Sequence, residues 1–135
     1  MGKTCLRDQF INGKFDEHVS ATIGASMKTK IIPCCSDGQK MKLSIWDTPG
    51  QERFDALTKM YFKGTDAFVI VYDISNEATF DKARFWIEEI LKHEFKDPIM
   101  YLVANKCDLS NESHLSAKVD EYAKLIGALV AEVSS

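Results

Sequence analysis

AFVIVY at Ala67–Tyr72 and IMYLVA at Ile99–Ala104 are two uninterrupted apolar runs. Runs of this kind are typical of parallel strands that are covered on both faces. The intervening segment Glu77–His93 carries apolar residues at helical spacing, and Ser75 or Asn76 is available as its N-cap. A strand, a helix and a second strand in this order predict an α/β fold. The apolar positions of the helix are Phe80, Ala83, Ile87, Ile90 and Leu91.

Upstream of these runs lies a predicted antiparallel hairpin. Its strands are Lys28–Cys35 and Lys40–Trp46, and Ser36–Gln39 joins them. The connection contains Asp-Gly, which favours a tight turn because glycine tolerates a positive φ. Pro33 has no N–H to donate to a neighbouring strand, so we expect its strand to lie at a sheet edge.

Three further elements complete the predicted layout. Ser116–Ile126 has helical periodicity and ends at Gly127, Ala128–Val133 is a short strand, and Cys5–Asn12 is compatible with a helix. We therefore expect a mostly parallel sheet with one antiparallel edge strand. Ligands of such sheets bind at the carboxyl ends of the strands. The loops at those ends follow Trp46, Tyr72, Ala104 and Val133.

Composition limits the class of protein. The chain has 135 residues, 45% of them hydrophobic and 27% charged, and its formal charge is 17 − 20 = −3. These values fit one globular domain and argue against a nucleic-acid binder, which is usually basic. No apolar run approaches the ~18 residues of a membrane-spanning helix, and no secretory signal is recognisable. The four cysteines form no CxxC pair, so we expect reduced thiols and a cytoplasmic protein.

Three short polar motifs lie next to predicted strands and a predicted helix. They are GKT at Gly2–Thr4, DTPGQERF at Asp47–Phe54 and NKCD at Asn105–Asp108. Taken singly, each is also compatible with an ordinary turn or a helix cap. Two of them follow predicted strands and the third precedes a helix, which are the places where a nucleotide binds. Together they predict a nucleotide site.

With these motifs the sequence resembles the Rab-type small GTPases of the Ras superfamily, over essentially all of residues 1–135. The resemblance implies a P-loop GTPase fold that binds GTP and GDP with Mg²⁺. It also implies hydrolysis of GTP as a molecular switch in vesicle trafficking. The other segments that carry it are ATIG (Ala21–Gly24), KLSIW (Lys42–Trp46), YFKGT (Tyr61–Thr65), IVYDIS (Ile70–Ser75) and NKCDL (Asn105–Leu109).

The resemblance implies roles around the phosphates. Gly2 and Cys5 would flank the phosphate-binding turn, and the Lys3 ammonium would contact the β- and γ-phosphates. The backbone N–H of Gly50 would contact the γ-phosphate. Gln51 would orient the attacking water and is therefore the predicted catalytic residue.

The metal site implied by the resemblance has three members. Thr4 and Thr22 would ligate Mg²⁺ through their hydroxyl groups. Asp47, at a strand end, would hold the ion directly or through water.

Recognition of guanine is implied for the later loops. Asp108 would accept two hydrogen bonds that adenine cannot donate, while Asn105 would brace the loops and Lys106 would lie along the base. Phe15 would pack on the other side of the base, although it is also explained as an ordinary core residue. Ser134–Ser135 lies where family members bind the guanine oxygen through the backbone.

Partners follow from the same resemblance. Effectors, a GTPase-activating protein and an exchange factor would bind the switch regions near Asp16–Met27 and Gly50–Phe62. Phe54, Trp46 and Tyr61 would form the effector-reading surface, although the two last residues are equally explained as half-buried aromatics. We expect a monomer whose activating partner supplies charge in trans.

The sequence departs from the family pattern at both ends. Only the final Gly-Lys-Thr of the motif GxxxxGK[ST] is present, so most of the backbone N–H groups that surround the phosphates are absent. The first, central strand and the last helix are not recognisable either. We therefore expect a single incomplete small-GTPase domain, more readily explained as a fragment than as a decayed protein. The alternative function is an interaction module without productive nucleotide binding.

Pro49 stands where Rab proteins usually have alanine, and its fixed φ and missing N–H predict slower hydrolysis.

Rab proteins act at the cytosolic face of endomembranes through C-terminal prenylated cysteines. This chain carries no such cysteines, so membrane contact would require an anchor that it does not contain.

Overall fold

A computed structural model describes residues 2–14, 22–34, 36–50, 55–93, 95, 97–109 and 115–134. The chain divides into two compact units, Lys3–Tyr61 and Phe62–Ser135 together with Met1–Gly2. The elements of the first unit are α1 (Lys3–Asn12), β1 (Ser26–Pro33), β2 (Lys40–Asp47) and α2 (Asp55–Met60). Those of the second are β3 (Ala67–Asp73), α3 (Glu77–Leu91), β4 (Ile99–Asn105), a 3₁₀ turn (Cys107–Leu109), α4 (Leu115–Ile126) and β5 (Leu129–Glu132).

The Lys3–Tyr61 unit contains the predicted hairpin. β1 and β2 are antiparallel, and their register runs from Ser26 opposite Asp47 to Pro33 opposite Lys40. Gly38 has φ 82°, the left-handed conformation that a tight Asp-Gly turn requires. The register places Asp47, the residue on which the metal prediction depends, opposite Ser26 at the end of the hairpin away from the turn.

Helix α1 is linked to the hairpin by cations of β1. The Lys28 ammonium lies 2.8 Å from Asp8 Oδ1. The Lys30 ammonium lies 4.3 Å from the centre of the Phe10 ring. Both contacts join a strand residue to the helix that follows the GKT motif.

Among the described residues, the second unit consists of a parallel sheet and the helices α3 and α4, together with a 3₁₀ turn. Its strands are parallel in the order β3-β4-β5. One face of the sheet packs against α3 and α4, where Ile87 and Val119 are almost fully buried. Asn76 caps α3 by accepting a hydrogen bond from the Ala78 N–H, and Gly127, with φ 70°, follows the last residue of α4. The strand residues of this core are Phe68, Ile70, Tyr72, Met100, Leu102 and Ala104.

The pairing and the coverage of the strands bear on the predicted architecture. Backbone hydrogen bonds define two sheets, and the described residues contain no strand paired with both β2 and β3, which agrees with the expected lack of the first, central strand. The prediction that both faces of the parallel strands are covered holds only in part. On the face opposite α3, Val71 and Val103 are buried, whereas Val69 is 57% exposed and Ile99 is 53% exposed. Within the described ranges, no helix is both long and apolar enough to cross a bilayer.

Candidate nucleotide and metal site

The three predicted metal ligands lie together in the Lys3–Tyr61 unit. Thr4 is in the first turn of α1, Asp47 is the last residue of β2, and Thr22 precedes β1. The Thr4 hydroxyl donates a hydrogen bond of 2.5 Å to Asp47 Oδ2, and the two threonine oxygens are 2.8 Å apart. Thr22 Oγ1 lies 3.4 Å from the same carboxylate oxygen. The hairpin and the helix thus bring together residues that are 18 and 25 positions apart in the chain.

This cluster fits the chemistry of Mg²⁺. The ion prefers oxygen ligands in an octahedron at about 2.1 Å, which places adjacent ligand oxygens about 3 Å apart. The observed oxygen–oxygen distances of 2.5, 2.8 and 3.4 Å bracket that spacing. Among the described residues, no group of three or more His, Cys, Asp and Glu side chains could hold a metal. A metal at this cluster would therefore need further oxygens from phosphate or water, as phosphate-bound Mg²⁺ usually does.

Arg7 is a neighbour of this cluster that sequence reasoning did not select. Its Nη1 lies 3.4 Å from Asp47 Oδ2, and the guanidinium also contacts Ser26 Oγ and Asp8 Oδ1. The side chains of Arg7 and Asp47 are only 8% and 3% exposed. The carboxylate predicted to bind a dication is thus already paired with a buried monovalent cation.

The residues predicted around the phosphates are described in part. Lys3 begins α1, Cys5 lies in its first turn, and Gly2 precedes it with φ 78°. Gly50 is exposed and follows the buried Pro49. The N-terminus of α1 presents backbone N–H groups without partners from its own helix, which favours anions. Four predicted residues lie outside the described ranges: Gln51, Phe15, Ser135, and Phe54 of the effector surface.

The predicted guanine loop lies in the second unit, at the carboxyl end of β4. Asn105 ends the strand and is fully buried, while Asp108 is exposed in the 3₁₀ turn. The Ser134 hydroxyl donates a hydrogen bond of 2.5 Å to Asp108 Oδ1. The Cys107 N–H donates to the carbonyl oxygen of Val133 over 3.2 Å. The NKCD loop and the segment after β5 are therefore adjacent.

Lys106 has an ion-pair partner that the sequence did not predict. Its φ is 63°, and its ammonium lies 2.6 Å from Asp73 Oδ2 at the end of β3. Burial by itself would raise the pKa of Asp73, but hydrogen bonds from Lys106 and Ser75 together outweigh it and lower that pKa. Asp73 is paired in register with Asn105, so two neighbouring strand ends contribute to one polar cluster.

Comparison with known proteins shows to which family the chain belongs. The Ras family model matches residues 1–135. The chain belongs to the Ras family. Rab-31 of Rattus norvegicus is 43% identical over 136 residues, which cover 100% of this chain and 69% of the relative. Rab-8B of Bos taurus is 40% identical over 90% of this chain and 58% of its own length. Rab-22A of Mus musculus is 37% identical over 100% of this chain and 69% of its own length.

These relatives confirm the predicted family and fold class. The chain is a Rab-type small GTPase, and proteins of this family are GTP hydrolases. The matches span the helix that carries Thr4 as well as the loop that carries Asp108. They do not favour the alternative of an interaction module without a nucleotide.

Within this Rab-type chain, sequence signals for the two unpredicted contacts did exist. Arg7 is three residues after Thr4 in α1, a spacing that puts both side chains on one helix face. Asp73 is the last residue of an apolar strand, like Asn105, and parallel neighbours align their carboxyl ends. A predicted site should therefore include charged residues that share a helix face with a predicted ligand. It should also include those at the end of a strand next to a motif.

Proposed function

We propose that this Rab-type chain binds GTP and GDP together with Mg²⁺, hydrolyses GTP to GDP and phosphate, and thereby acts as a switch in vesicle trafficking. The observation that carries the proposal is the convergence of Thr4, Thr22 and Asp47 on one point within 3.4 Å. Membership of the Ras family supports it, because family members hydrolyse GTP.

At the metal position, the two hydroxyl oxygens and the carboxylate would be the protein's ligands. Mg²⁺ supplies positive charge that neutralises the phosphate oxygens when it is bound. Thr4 belongs to α1 and Thr22 to the segment before β1, so the two hydroxyls come from separate parts of the unit. A change at the γ-phosphate would thus alter the position of the segment that contains Thr22, as a switch requires.

Around the phosphates, Lys3 would contribute its ammonium and Gly50 its backbone N–H. Gly2 and Cys5 would contribute backbone groups beside the start of α1. Gln51 would orient the attacking water as the catalytic residue.

Selectivity for guanine would come from the NKCD loop. Asp108 would accept hydrogen bonds from the two guanine N–H groups, and its present donor, Ser134, would reorient toward solvent or the ligand. Asn105 and Lys106 would hold the loop through their positions at the end of β4 and on Asp73. Phe15 and Ser135 would complete the base site.

Partners would bind through the switch surface. Trp46 is 52% exposed and its ring lies 5.3 Å from that of Tyr61, so two aromatic rings are available to an effector. Phe54 would extend this surface. A GTPase-activating protein and an exchange factor would act on the same segments, at the cytosolic face of endomembranes.

Titration with fluorescent GDP tests the proposal directly. Two proteins are compared: this 135-residue chain, and the same chain extended with the residues of rat Rab-31 that flank its matched region. We expect binding that needs Mg²⁺, is tighter in the extended chain and is displaced by GTP but not by ATP. Asp108→Asn should weaken it at least about tenfold, since an amide cannot accept both guanine protons equally well. Asp66→Asn, at an exposed position before β3, is the matched control.

Absence of GDP binding by both proteins would contradict the proposal. If an effector nevertheless bound the surface around Trp46, the function would be that of an interaction module.

A further inference from the structure

Arg7 and the predicted metal ligands compete for a single oxygen atom. Asp47 Oδ2 accepts the hydrogen bond from Thr4, lies 3.4 Å from Thr22 Oγ1, and also lies 3.4 Å from Arg7 Nη1. Carboxylate lone pairs are limited, so a guanidinium and a metal cannot both use this oxygen at full strength. The proposed metal position thus has a cation from the protein at its edge.

The charge of Arg7 is only partly neutralised by its surroundings. Its Nε and Nη2 both lie 2.8 Å from Asp8 Oδ1, but the Lys28 ammonium lies 2.8 Å from that same oxygen. Asp8 is therefore shared between two cations. Because the Arg7 side chain is 8% exposed, solvent and salt screen its remaining charge less than they screen surface charges.

We propose that Arg7 is a positioning residue that holds Asp47 when Mg²⁺ is absent and raises the Mg²⁺ concentration needed for nucleotide binding. The inference rests on the proposed function, because it concerns the metal of that same site. Its physical basis is the repulsion between a dication and a buried guanidinium that share one carboxylate. By reciprocity, binding of Mg²⁺ must weaken the Arg7–Asp47 interaction by the same factor.

A purely structural role for Arg7 makes a different prediction. Arg7 also donates a hydrogen bond to Ser26 Oγ, so it links α1 to β1 as well as to β2. If only this link mattered, removal of Arg7 would lower stability without changing the metal dependence. The two roles are therefore separated by the Mg²⁺ concentration at half-maximal binding.

The first experiment measures release of fluorescent GDP as a function of free Mg²⁺. We expect Arg7→Leu and Arg7→Gln to lower the half-maximal Mg²⁺ concentration about tenfold, a typical size for coupling between two sites. Arg7→Lys keeps the charge and should remain within about threefold of the original protein. Lys30→Leu is the matched control, since Lys30 also links β1 to α1, through the Phe10 ring and carbonyl oxygen, but has no contact with Asp47.

The outcomes of this titration are distinct. An unchanged or higher Mg²⁺ requirement in both charge-removing variants overturns the inference, and so does an equal decrease in Lys30→Leu. Complete absence of GDP binding in every variant at saturating Mg²⁺ overturns the proposed function and this inference with it. GDP binding with no shift overturns the inference alone.

A second experiment needs no nucleotide. In metal-free buffer, urea unfolding of Arg7→Leu, Asp47→Asn and the double variant forms a double-mutant cycle. We expect a coupling that changes the folding equilibrium constant at least about fivefold, within the usual range for contacting residues. Coupling near zero would overturn the inference.

Discussion

The hydroxyl of Thr4 donates a hydrogen bond of 2.5 Å to Asp47 Oδ2, across 43 positions of sequence. This bond joins the first turn of α1, which follows the GKT motif, to the end of β2, where the DTPG motif begins. The bond therefore connects two motifs, each of which is too short to define a site by itself. The proposed metal position lies where this bond joins the two motifs.

Replacement of Thr4 tests whether its hydroxyl binds Mg²⁺ as well as donating a hydrogen bond to Asp47. Thr4→Ala removes a predicted metal ligand and leaves the buried Asp47 carboxylate with one donor fewer, so Mg²⁺-dependent GDP affinity should fall about tenfold or more. Thr4→Ser retains the hydroxyl and should stay near the original value. Fluorescence titration at fixed Mg²⁺ makes the measurement. Thr29→Ala, at an exposed position of β1, is the control, and wild-type affinity in Thr4→Ala would contradict the assignment.

The Lys106–Asp73 ion pair predicts a dependence of stability on acid pH. Asp73 has a pKa below its ordinary value of 3.8 in the folded chain. A lowered carboxyl pKa adds stability that is fully present above the unfolded pKa and is lost as pH falls through the folded one. Asp73→Asn should cost about 1–3 kcal/mol near neutral pH, since Lys106 and Ser75 lose a charged acceptor. It should also flatten the decrease in stability below about pH 4.

Urea unfolding of both proteins between neutral and acid pH checks this prediction. Asp81→Asn, at an exposed position of α3, serves as the control for the loss of one carboxylate. Identical acid dependence of Asp73→Asn and the original chain would show that the ion pair does not contribute.

The core beneath the parallel sheet predicts a large effect of cavity formation. Ile87 on α3 is 0% exposed, so Ile87→Ala should lower the free energy of unfolding by about 2–5 kcal/mol. Leu125 on α4 is 82% exposed, and Leu125→Ala should change it by less than about 0.5 kcal/mol. Denaturant titration measures both. Similar losses in the two variants would mean that α3 does not cover the sheet as described.

Pro49 predicts an effect on the rate of hydrolysis. It is buried, its φ is fixed, and it lacks the N–H that alanine would provide immediately before Gly50. Pro49→Ala should therefore allow the following segment, which contains Gln51, to rearrange more freely and should raise the single-turnover rate of GTP hydrolysis. Phosphate release from preloaded protein gives that rate. Equal rates in the two proteins would contradict the prediction that Pro49 slows hydrolysis.

Much of the fold could be predicted because its signals are local. The apolar runs of β3 and β4 and the periodicity of α3 and α4 placed those elements within two residues of their observed ends. Helix α2 was not predicted, since six residues are too few for helical periodicity to be distinguished from chance. The separation into two sheets agrees with the central strand that the sequence was expected to lack.

The site residues that could be predicted are those that lie within short continuous motifs. The convergence of Thr4, Thr22 and Asp47 agrees with the roles that the resemblance implied, although those roles are still predictions. The contacts of Arg7 with Asp47 and of Lys106 with Asp73 join residues 40 and 33 positions apart. Such long-range pairs result from the packing of helices and strands, and no single motif predicts them.

In the proposed function, oxygens of α1, of the segment before β1 and of the end of β2 hold Mg²⁺ beside a guanine nucleotide. Calorimetric titration of GDP into the extended chain, once with Mg²⁺ and once with EDTA, measures this for the original protein and for Asp47→Asn. We predict that EDTA weakens GDP binding at least about tenfold in the original protein and that Asp47→Asn largely abolishes this difference. Equal GDP affinity with Mg²⁺ and with EDTA in the original protein would contradict the claim.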